Sequence, residues 1–235
     1  MYSIHNLFRQ VLTAACPLCG LTAGAGDLCT GCLRDVLRMN QDGRWCMQCA
    51  VRVSCAARLC AQCLNTCPAF DRTVAAIDYA YPGAMLIRGL KERGQLAQAN
   101  MFARFLTRTI NAHPQSLPRL NALVPIPSSA ASLRKRGFNP AAEIARALRP
   151  ALRVPLQQSW LRRTRESDLQ KTLDFEARRK SVQGLYVCDQ VVPPIWIGVV
   201  DDVLTSGSTM HEASLALKRA GALGVVALVA ARATW

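Results

Sequence analysis

The sequence predicts an α/β protein in which a parallel sheet lies between helices and follows a small cysteine-rich module. Along residues 69–235, apolar and β-branched runs of strand length alternate with segments of helical pattern, which is typical of a parallel sheet flanked by helices. Ten of the eleven cysteines lie between Cys16 and Cys67. These observations predict two domains, a metal-binding module over residues 1–68 and an α/β domain over residues 69–235.

Length, charge and hydrophobicity limit the possible functions. The chain has 235 residues, of which 51% are hydrophobic, so a core of ordinary size is expected. The net charge of +14 favours anionic partners such as nucleotides, pyrophosphate or nucleic acid. No apolar run reaches the length of a membrane span. Together with metal-like cysteine spacing, this favours the reducing cytoplasm as the location.

The cysteine-rich region contains four Cys-x-x-Cys knuckles in two sets, which form a tandem repeat of about 30 residues. Two residues between paired thiolates allow both to bind one ion from a tight turn, and two such turns complete a tetrahedron. We therefore expect one or two structural zinc ions rather than disulfides. Each repeat can hold its own ion, or the knuckles can pair across the repeats. The eight candidate ligands are Cys16, Cys19, Cys29, Cys32, Cys46, Cys49, Cys60 and Cys63.

Hydrophobic periodicity predicts the elements of the first half of the chain. Residues 2–14 are expected to form a short amphipathic helix that leads into the first knuckle. Strands are predicted over residues 74–81 and 120–126. Between them, residues 84–112 have a helical pattern that is interrupted near Gly94.

A basic run, Arg134-Lys135-Arg136, precedes a helix that is predicted to have Asn139 as its N-cap and Pro140 as its first residue. Cations just before a helix oppose the positive end of its dipole, so the run indicates a bound anion nearby. A solvated basic loop is the alternative interpretation.

The last third of the chain begins with a polar stretch, residues 161–180, which is rich in charged residues. This composition fits either a mobile lid over a phosphate-bearing ligand or a plain surface loop. A strand over residues 195–200, a helix over residues 208–220 and a buried strand over residues 224–231 are predicted to follow. His211, in the first turn of that helix, is expected to be a surface or packing residue rather than a catalyst.

Two carboxylates, Asp201 and Asp202, stand where the strand over residues 195–200 is expected to end. Because buried carboxylates are costly, an acidic pair at the carboxyl end of a strand suggests a polar ligand. The small, hydroxyl-rich loop that follows, with the positive end of the next helix, can form a cradle for a phosphate monoester. The pattern predicts a ribose 5-phosphate site, and the alternative is an ordinary strand–loop–helix with two solvated aspartates. The loop residues are Thr205, Ser206, Gly207, Ser208 and Thr209.

Residues 199–209, with the sequence VVDDVLTSGST, resemble the phosphoribosyl-pyrophosphate (PRPP) motif of type I phosphoribosyltransferases. The whole chain resembles the ComF/GntX family of phosphoribosyltransferase-like proteins. The resemblance also rests on the repeated Cys-x-x-Cys region, the helix with Lys91, the segments VPIP and RGFN, and residues 161–184. It implies a zinc-finger module followed by a type I phosphoribosyltransferase fold. For some members it implies a link to natural competence and incoming single-stranded DNA.

The resemblance implies roles for individual residues. Asp201 and Asp202 would bind the ribose hydroxyls, and residues 205–209 would bind the 5-phosphate. Two departures from the family pattern bear on the lid segment: Ser181 replaces a usual Asn, and residues 166–168 are more acidic than usual. The candidates for the pyrophosphate side are Pro127, Ser128, Ser129, Arg134, Arg136 and Lys91.

Two functions from different classes follow. An enzyme would transfer the phosphoribosyl group of Mg²⁺-bound PRPP to an acceptor, with Asp201 and Asp202 as the catalytic residues that orient the ribose and favour positive charge at C1. Arg134 and Arg136 would stabilise the leaving pyrophosphate. Alternatively, a non-catalytic PRPP sensor would hold single-stranded DNA on its basic surface. A third hypothesis makes the zinc module a docking surface for a competence or DNA-processing protein.

Overall fold

The computed structural model describes residues 13–24, 27–38, 44–53, 58–112, 117–166 and 181–233. Within this part of the chain, short strands and one helix belong to each cysteine-rich repeat, and a parallel sheet with helices follows. The strands are β1 (Thr13–Ala15), β2 (Thr22–Gly24), β3 (Arg44–Trp45), β4 (Arg52–Val53), β5 (Arg72–Asp78), β6 (Ala122–Pro125), β7 (Arg162–Arg163), β8 (Tyr186–Val187), β9 (Trp196–Leu204) and β10 (Gly224–Arg232). The helices are α1 (Thr30–Arg38), α2 (Ala61–Thr66), α3 (Gly83–Arg93), α4 (Ala97–Ala112), α5 (Ala130–Arg136), α6 (Pro140–Leu152) and α7 (Ser208–Arg219).

The central sheet has the strand order β5-β10-β9-β6, and all three pairings are parallel. Every residue of β10 is buried, as expected for an apolar strand with neighbours on both sides. The predicted α/β class, with a parallel sheet flanked by helices, is confirmed.

The two faces of the sheet are covered by different helices. Val200 and Leu228 belong to a core with side chains of α3, α4 and α6. Their chain neighbours Val199 and Ala227 belong to a second core with Met210 and other side chains of α7. This alternation follows from the two-residue period of a strand, and it explains why β9 and β10 are apolar on both faces.

The strand that carries the acidic pair is longer than predicted. Its expected end at residue 200 is wrong, because β9 continues to Leu204. The reason is that β10 continues beside it, pairing Val229 with Asp201 and Ala231 with Val203. Both aspartates therefore lie within the second half of the strand rather than beyond it.

The dipole argument for the basic run is also wrong. Arg134, Lys135 and Arg136 form the last turn of α5, which ends at Gly137 in the left-handed conformation (φ 77°). The negative end of a helix favours cations, so the run needs no anion for its own stability. As predicted, Asn139 is the N-cap of α6, its side chain accepting from the N–H of Ala141, and Pro140 is the first helical residue.

The cysteine-rich region packs directly against the edge of the sheet. The Gln48 carbonyl accepts a hydrogen bond of 2.5 Å from Thr73 Oγ1 in β5, and Arg52 forms an ion pair with Asp78. These contacts join the two predicted domains through side chains of the edge strand. The boundary at residue 68 itself stays a prediction.

Some predictions concern residues outside the described part of the chain. They include most of the expected helix over residues 2–14 and residues 167–180 of the expected lid. Among the described helices, none has the length and apolar character that crossing a membrane requires.

Two glycines in left-handed conformations provide a matched test of this fold. Gly94 follows α3 with φ 63°, and a Cβ there would meet no described atom within 4 Å. Gly221 follows α7 with φ 120°, and a Cβ there would lie 2.3 Å from the Val192 carbonyl oxygen. The backbone cannot easily yield at this point, because the Val192 N–H is bonded to Ala220 O at 2.8 Å.

We therefore expect Gly94→Ala to lower the free energy of unfolding by about 1–2 kcal/mol, from backbone strain alone. Gly221→Ala should lower it by about 3 kcal/mol or more, since strain and a backbone clash combine. Urea unfolding of both variants measures the difference. Equal losses would contradict the described packing of the α7–β10 turn.

Candidate functional site

The acidic pair at the carboxyl end of β9 has a cation as its neighbour. Lys91, in the last turn of α3, places Nζ 2.7 Å from Asp202 Oδ1. The side chains are 30% and 15% exposed, so the ion pair is partly shielded but open to the surface. The Asp201 carboxylate accepts the N–H of Asp202 at 2.8 Å. Lys91 is a candidate for the pyrophosphate side, and the structure places it against the sugar-binding candidates.

Burial and mutual repulsion dominate the electrostatics of this pair. Burial, followed by the negative charge of Asp202, raises the pKa of Asp201 to about 7, although Lys91 and the Asp202 N–H oppose the shift. Burial lowers the pKa of Lys91, but Asp202, followed by Asp201 and Tyr79, raises it more, so the net shift is upward. Lys91 therefore stays protonated at neutral pH, whereas Asp201 changes its protonation state near neutral pH. A cationic ligand group beside Asp201 would favour its ionised form.

The loop after β9 leads directly into the N-terminus of α7. Gly207 adopts φ 80° immediately before α7, and Ser206 Oγ and Ser208 Oγ lie 3.0 Å apart. The first N–H groups of a helix lack acceptors within the helix and carry its positive end. A Cβ on Gly207 would lie 3.5 Å from the ring of Phe70, so the loop rests on this buried ring.

The loop that follows β6 lies at the carboxyl end of the parallel strands, where the acidic pair also lies. The Ile126 N–H donates to Val200 O at 2.9 Å, which holds the start of this loop beside the acidic strand. Ser128 Oγ donates to Asn139 Oδ1 at 3.0 Å. Ser129 caps α5 by accepting from the N–H of Ser132. Pro127, Ser128 and Ser129 thus follow directly from a strand that pairs with β9.

The remaining pyrophosphate-side candidates lie at the far end of α5. Arg134 is exposed, whereas the Nε atom of Arg136 is buried and has no hydrogen-bond partner within the described part of the chain. At the start of α5, the Glu166 carboxylate accepts the N–H of Ala130 at 2.9 Å. An acidic residue from the segment predicted to be a lid therefore contacts the helix that follows the Ser128–Ser129 loop.

Tyr186, on the antiparallel strand pair β7–β8, lies near the acids, and Arg163 of the same pair contacts it. Burial raises the pKa of Tyr186 to about 12; Arg163 opposes this rise and the negative charge of Asp201 adds to it. The guanidinium carbon of Arg163 lies 5.8 Å from the centre of the Tyr186 ring. Sequence reasoning missed both residues, since nothing in the local pattern indicates that β7 and β8 pair and approach the end of β9.

The eight predicted metal ligands form two clusters, one in each repeat. Cys16, Cys19, Cys29 and Cys32 form the first, and Cys46, Cys49, Cys60 and Cys63 form the second. In both clusters the candidate ligand atoms lie within 4.8 Å of one another. The structure thus resolves the pairing that spacing left open. Each repeat forms its own cluster.

The chemistry of both clusters fits zinc. Four thiol ligands make up a tetrahedral donor set with no open position, which is typical of structural zinc sites. Backbone N–H groups also point at the sulfurs, as from Cys60 to Cys46 Sγ at 3.3 Å. A hydrogen bond from Cys63, the N–H of Val51 and the charge of Arg232 outweigh burial and lower the pKa of Cys49 to about 5. The two clusters could therefore hold structural zinc.

Arg232 is a third residue that sequence reasoning missed. It is 2% exposed at the end of β10, where it donates to carbonyl groups of Cys49, Leu204 and Thr205. Composition gives no signal for such a residue, because an Arg that ends an apolar strand normally reaches solvent.

Comparison with known proteins gives consistent similarity over most of the chain. No family model matches the sequence. Competence protein F of Haemophilus influenzae is 27% identical over 201 residues, which are 83% of this chain and 85% of that protein. DNA utilization protein YhgH of Escherichia coli O157:H7 is 28% identical over 215 residues, which are 89% of this chain and 93% of that protein. The protein of the same name in Salmonella typhi is 28% identical over 84% of this chain and 87% of its own length.

These relatives agree with the family that the sequence motifs indicated. Each of the three alignments spans more than four fifths of both proteins, so the similarity is not confined to a single motif. Their similarity, at 27–28% identity over about 85% of the chain, agrees with the resemblance to the ComF-like family.

Proposed function

We propose that this protein binds PRPP and transfers its phosphoribosyl group to an acceptor in the course of DNA uptake or utilization. The observation that carries the proposal is the meeting of an acidic pair, Asp201 and Asp202, with the Gly207 loop at one edge of the sheet. Carboxylates suit the hydroxyls of a ribose, and the first N–H groups of a helix suit a phosphate. The ribose of PRPP would then lie at the end of the strand and its 5-phosphate in the loop.

In this reaction, the bond between C1 of the ribose and the pyrophosphate oxygen breaks, and the electron pair leaves with pyrophosphate. A bond from the acceptor to C1 forms, and the acceptor loses a proton. Asp201 and Asp202 orient the ribose hydroxyls and stabilise positive charge at C1. Bound Mg²⁺ would supply Lewis-acid stabilisation of the pyrophosphate. The carboxylate oxygens of the acidic pair are ligands of the type that Mg²⁺ prefers.

Lys91 has a positioning role in this scheme. Its ion pair with Asp202 holds that carboxylate at the end of β9 and lowers the cost of keeping two acids side by side. The charge of Lys91 also offsets part of the repulsion between the anionic ligand and the acids. Ser128 and Ser129, next to β9, supply hydroxyl and backbone groups on the side where pyrophosphate would lie.

The names of the relatives suggest the biological setting. The similar proteins are called competence protein and DNA utilization protein. We infer that the protein acts in the handling of incoming DNA. The net charge of +14 favours a second candidate function, in which a PRPP-sensing protein without transferase activity holds single-stranded DNA through phosphate contacts. In either case the cysteine-rich module can also serve as a docking surface for another DNA-processing protein.

The binding site is tested by Asp202→Ala. We expect wild-type protein to bind PRPP in the presence of Mg²⁺ and the variant to bind at least about tenfold more weakly, since removal of one charge-assisted contact costs about 1.5–3 kcal/mol. Isothermal titration calorimetry measures both affinities. Asp189→Ala is the matched control, because Asp189 is 64% exposed and pairs with Arg162 at the surface. Unchanged affinity in Asp202→Ala would refute the site.

Release of pyrophosphate separates the enzyme from the sensor. The enzyme should release it from PRPP when nucleobases, amines or DNA ends include the true acceptor. If wild-type protein binds PRPP yet releases none across such a panel, the sensor is favoured.

The raised pKa of Asp201 predicts a pH-dependent stability. Between about pH 4 and 7 this carboxyl is ionised in the unfolded chain but protonated in the folded one, so wild-type stability falls as pH rises through this window. The stability of Asp201→Asn does not fall in this way, because the Asn side chain does not ionise. The variant should be about as stable as wild type at pH 4 and a few kcal/mol more stable at pH 8, at about 1.4 kcal/mol per tenfold change in the ionisation constant.

Urea unfolding of the ligand-free protein at several pH values measures this difference. Asp189→Asn serves as the control at an exposed carboxylate. A difference between Asp201→Asn and wild type that does not change with pH would show that Asp201 ionises normally.

We also propose that each four-cysteine cluster binds one zinc ion. The expected content is two zinc per chain, and a strong chelator should remove them together with the fold of residues 16–67, because zinc binding contributes folding free energy. Elemental analysis and circular dichroism measure content and folding. Cys188→Ser should retain both ions, since Cys188 lies outside the clusters. A stable, metal-free module would contradict the assignment.

A further inference from the structure

We propose that the second four-cysteine cluster positions the phosphate loop, so that metal binding to Cys46, Cys49, Cys60 and Cys63 sets the order of residues 205–209. Arg232 is the positioning residue that transmits this effect. The identity of the phosphate ligand rests on the proposed function above, but the link between cluster and loop does not. The first four-cysteine cluster has no equivalent role.

The guanidinium of Arg232 forms hydrogen bonds both with the Cys46–Cys49 knuckle and with the end of β9 and the loop that follows it. Nε donates to Cys49 O at 2.7 Å, and Nη2 lies 4.0 Å from Cys49 Sγ. Nη1 donates to Leu204 O at 2.9 Å and to Thr205 O at 2.8 Å, and it also contacts Ala233 O. A buried cation needs such a set of acceptors, because leaving it unsatisfied is costly. The knuckle and the loop thus both contribute to the solvation of one buried charge.

These bonds determine which way the loop amides face. In a trans peptide the C=O and the N–H point in opposite directions. The peptide between Thr205 and Ser206 is trans, and its carbonyl is turned toward Arg232. The N–H of Ser206 is therefore turned away from Arg232. Without that bond the peptide is free to rotate, and the cradle loses a defined donor.

Two further contacts reinforce the link. The Gln48 side chain, from inside the Cys46–Cys49 knuckle, donates to Pro68 O at 2.9 Å and Phe70 O at 2.8 Å. Gln48 thereby holds the segment whose Phe70 ring supports Gly207. The N–H of Ala69 donates to His211 Nδ1 at 3.0 Å in the first turn of α7.

A small cavity also shows how close the cluster and the loop are. Its lining includes Cys49 and Cys63 together with Thr205, Ser206 and Gly207. Two candidate metal ligands and three loop residues thus face the same space, so the knuckle and the loop are direct neighbours.

The first cluster provides the matched control. Its neighbours Leu28 and Val36 pack into the core formed with α3 and α4, and Asp27 pairs with Arg104 of α4. These contacts lie on the face of the sheet that α7 does not cover. Cys29 and Cys60 are the third cysteines of their clusters, and both are partly buried. Substitution of either one removes one ligand from a single cluster.

Hydrogen exchange of the ligand-free full chain tests the proposal without PRPP. In Cys60→Ser, we expect the amides of residues 205–210 to exchange at least about tenfold faster than in wild type, since loss of the ion releases the knuckle. In Cys29→Ser, their exchange should stay within about twofold of wild type. Equal rates in the two variants, whether both fast or both slow, would overturn the proposal.

Substitution of Arg232 separates positioning from general stability. Arg232→Met should accelerate exchange in residues 205–210 and in the Cys46–Cys49 knuckle, while the strands of the central sheet keep wild-type protection. Arg232→Lys should show a smaller increase, because an ammonium group restores some of the donors. A uniform increase over the whole sheet, with no rescue by Lys, would show a merely structural role. If Arg232→Met does not fold, the Cys29 and Cys60 variants decide the question.

Reciprocity supplies a test on the ligand side. If the second cluster orders the loop, a phosphate ligand must in turn tighten zinc there by the same factor. Mg²⁺-PRPP should raise the zinc affinity of Cys29→Ser, which keeps the second cluster, at least about threefold in chelator competition. It should leave the zinc affinity of Cys60→Ser unchanged. If calorimetry shows that Cys29→Ser binds PRPP but zinc affinity rises in neither variant, the proposal is overturned. If wild-type protein does not bind PRPP at all, the proposed function is refuted instead.

Discussion

The pairing of β9 with β10 is the constraint on which the rest of the structure depends. It continues past the apolar part of β9 to Leu204, and this places Asp201 and Asp202 in regular strand geometry at the edge of the sheet. The same strands bring the Gly207 loop to the end of β9 and Arg232 to the end of β10. Because both strands are apolar on both faces, their burial between the two cores stabilises this pairing.

The charges at the carboxyl end of β9 only partly cancel. Two aspartates lie side by side, Lys91 pairs with one of them, and burial favours the protonated form of the other. Such an arrangement is costly, and a cationic or hydroxyl-bearing ligand would offset that cost. Groups with strongly shifted pKa values in a cluster of this kind are typical of functional sites. The stability lost here is compensated by the buried strands and helices around it.

The cysteine-rich region is part of the architecture of the site and not an appendage. Each repeat forms a closed set of four thiols, which suits a structural ion and leaves no position for a substrate. The two sets differ in what they support. The first packs against the helices of one face, whereas the second reaches Arg232, Phe70 and through them the loop that precedes α7. Metal binding would therefore have different consequences in the two repeats.

Local pattern in the sequence determined most of the elements, because periodicity, caps and Cys-x-x-Cys spacing act over a few residues. Asn139 and Pro140 predicted the start of α6 correctly, and residues 201–209 marked the candidate site. The end of β9 and the pairing of knuckles within each repeat were decided only in the tertiary structure. The same holds for Lys91 against Asp202 and for buried Arg232, since only the assembled sheet brings such charges to their acceptors, and no local rule encodes a contact across more than a hundred residues.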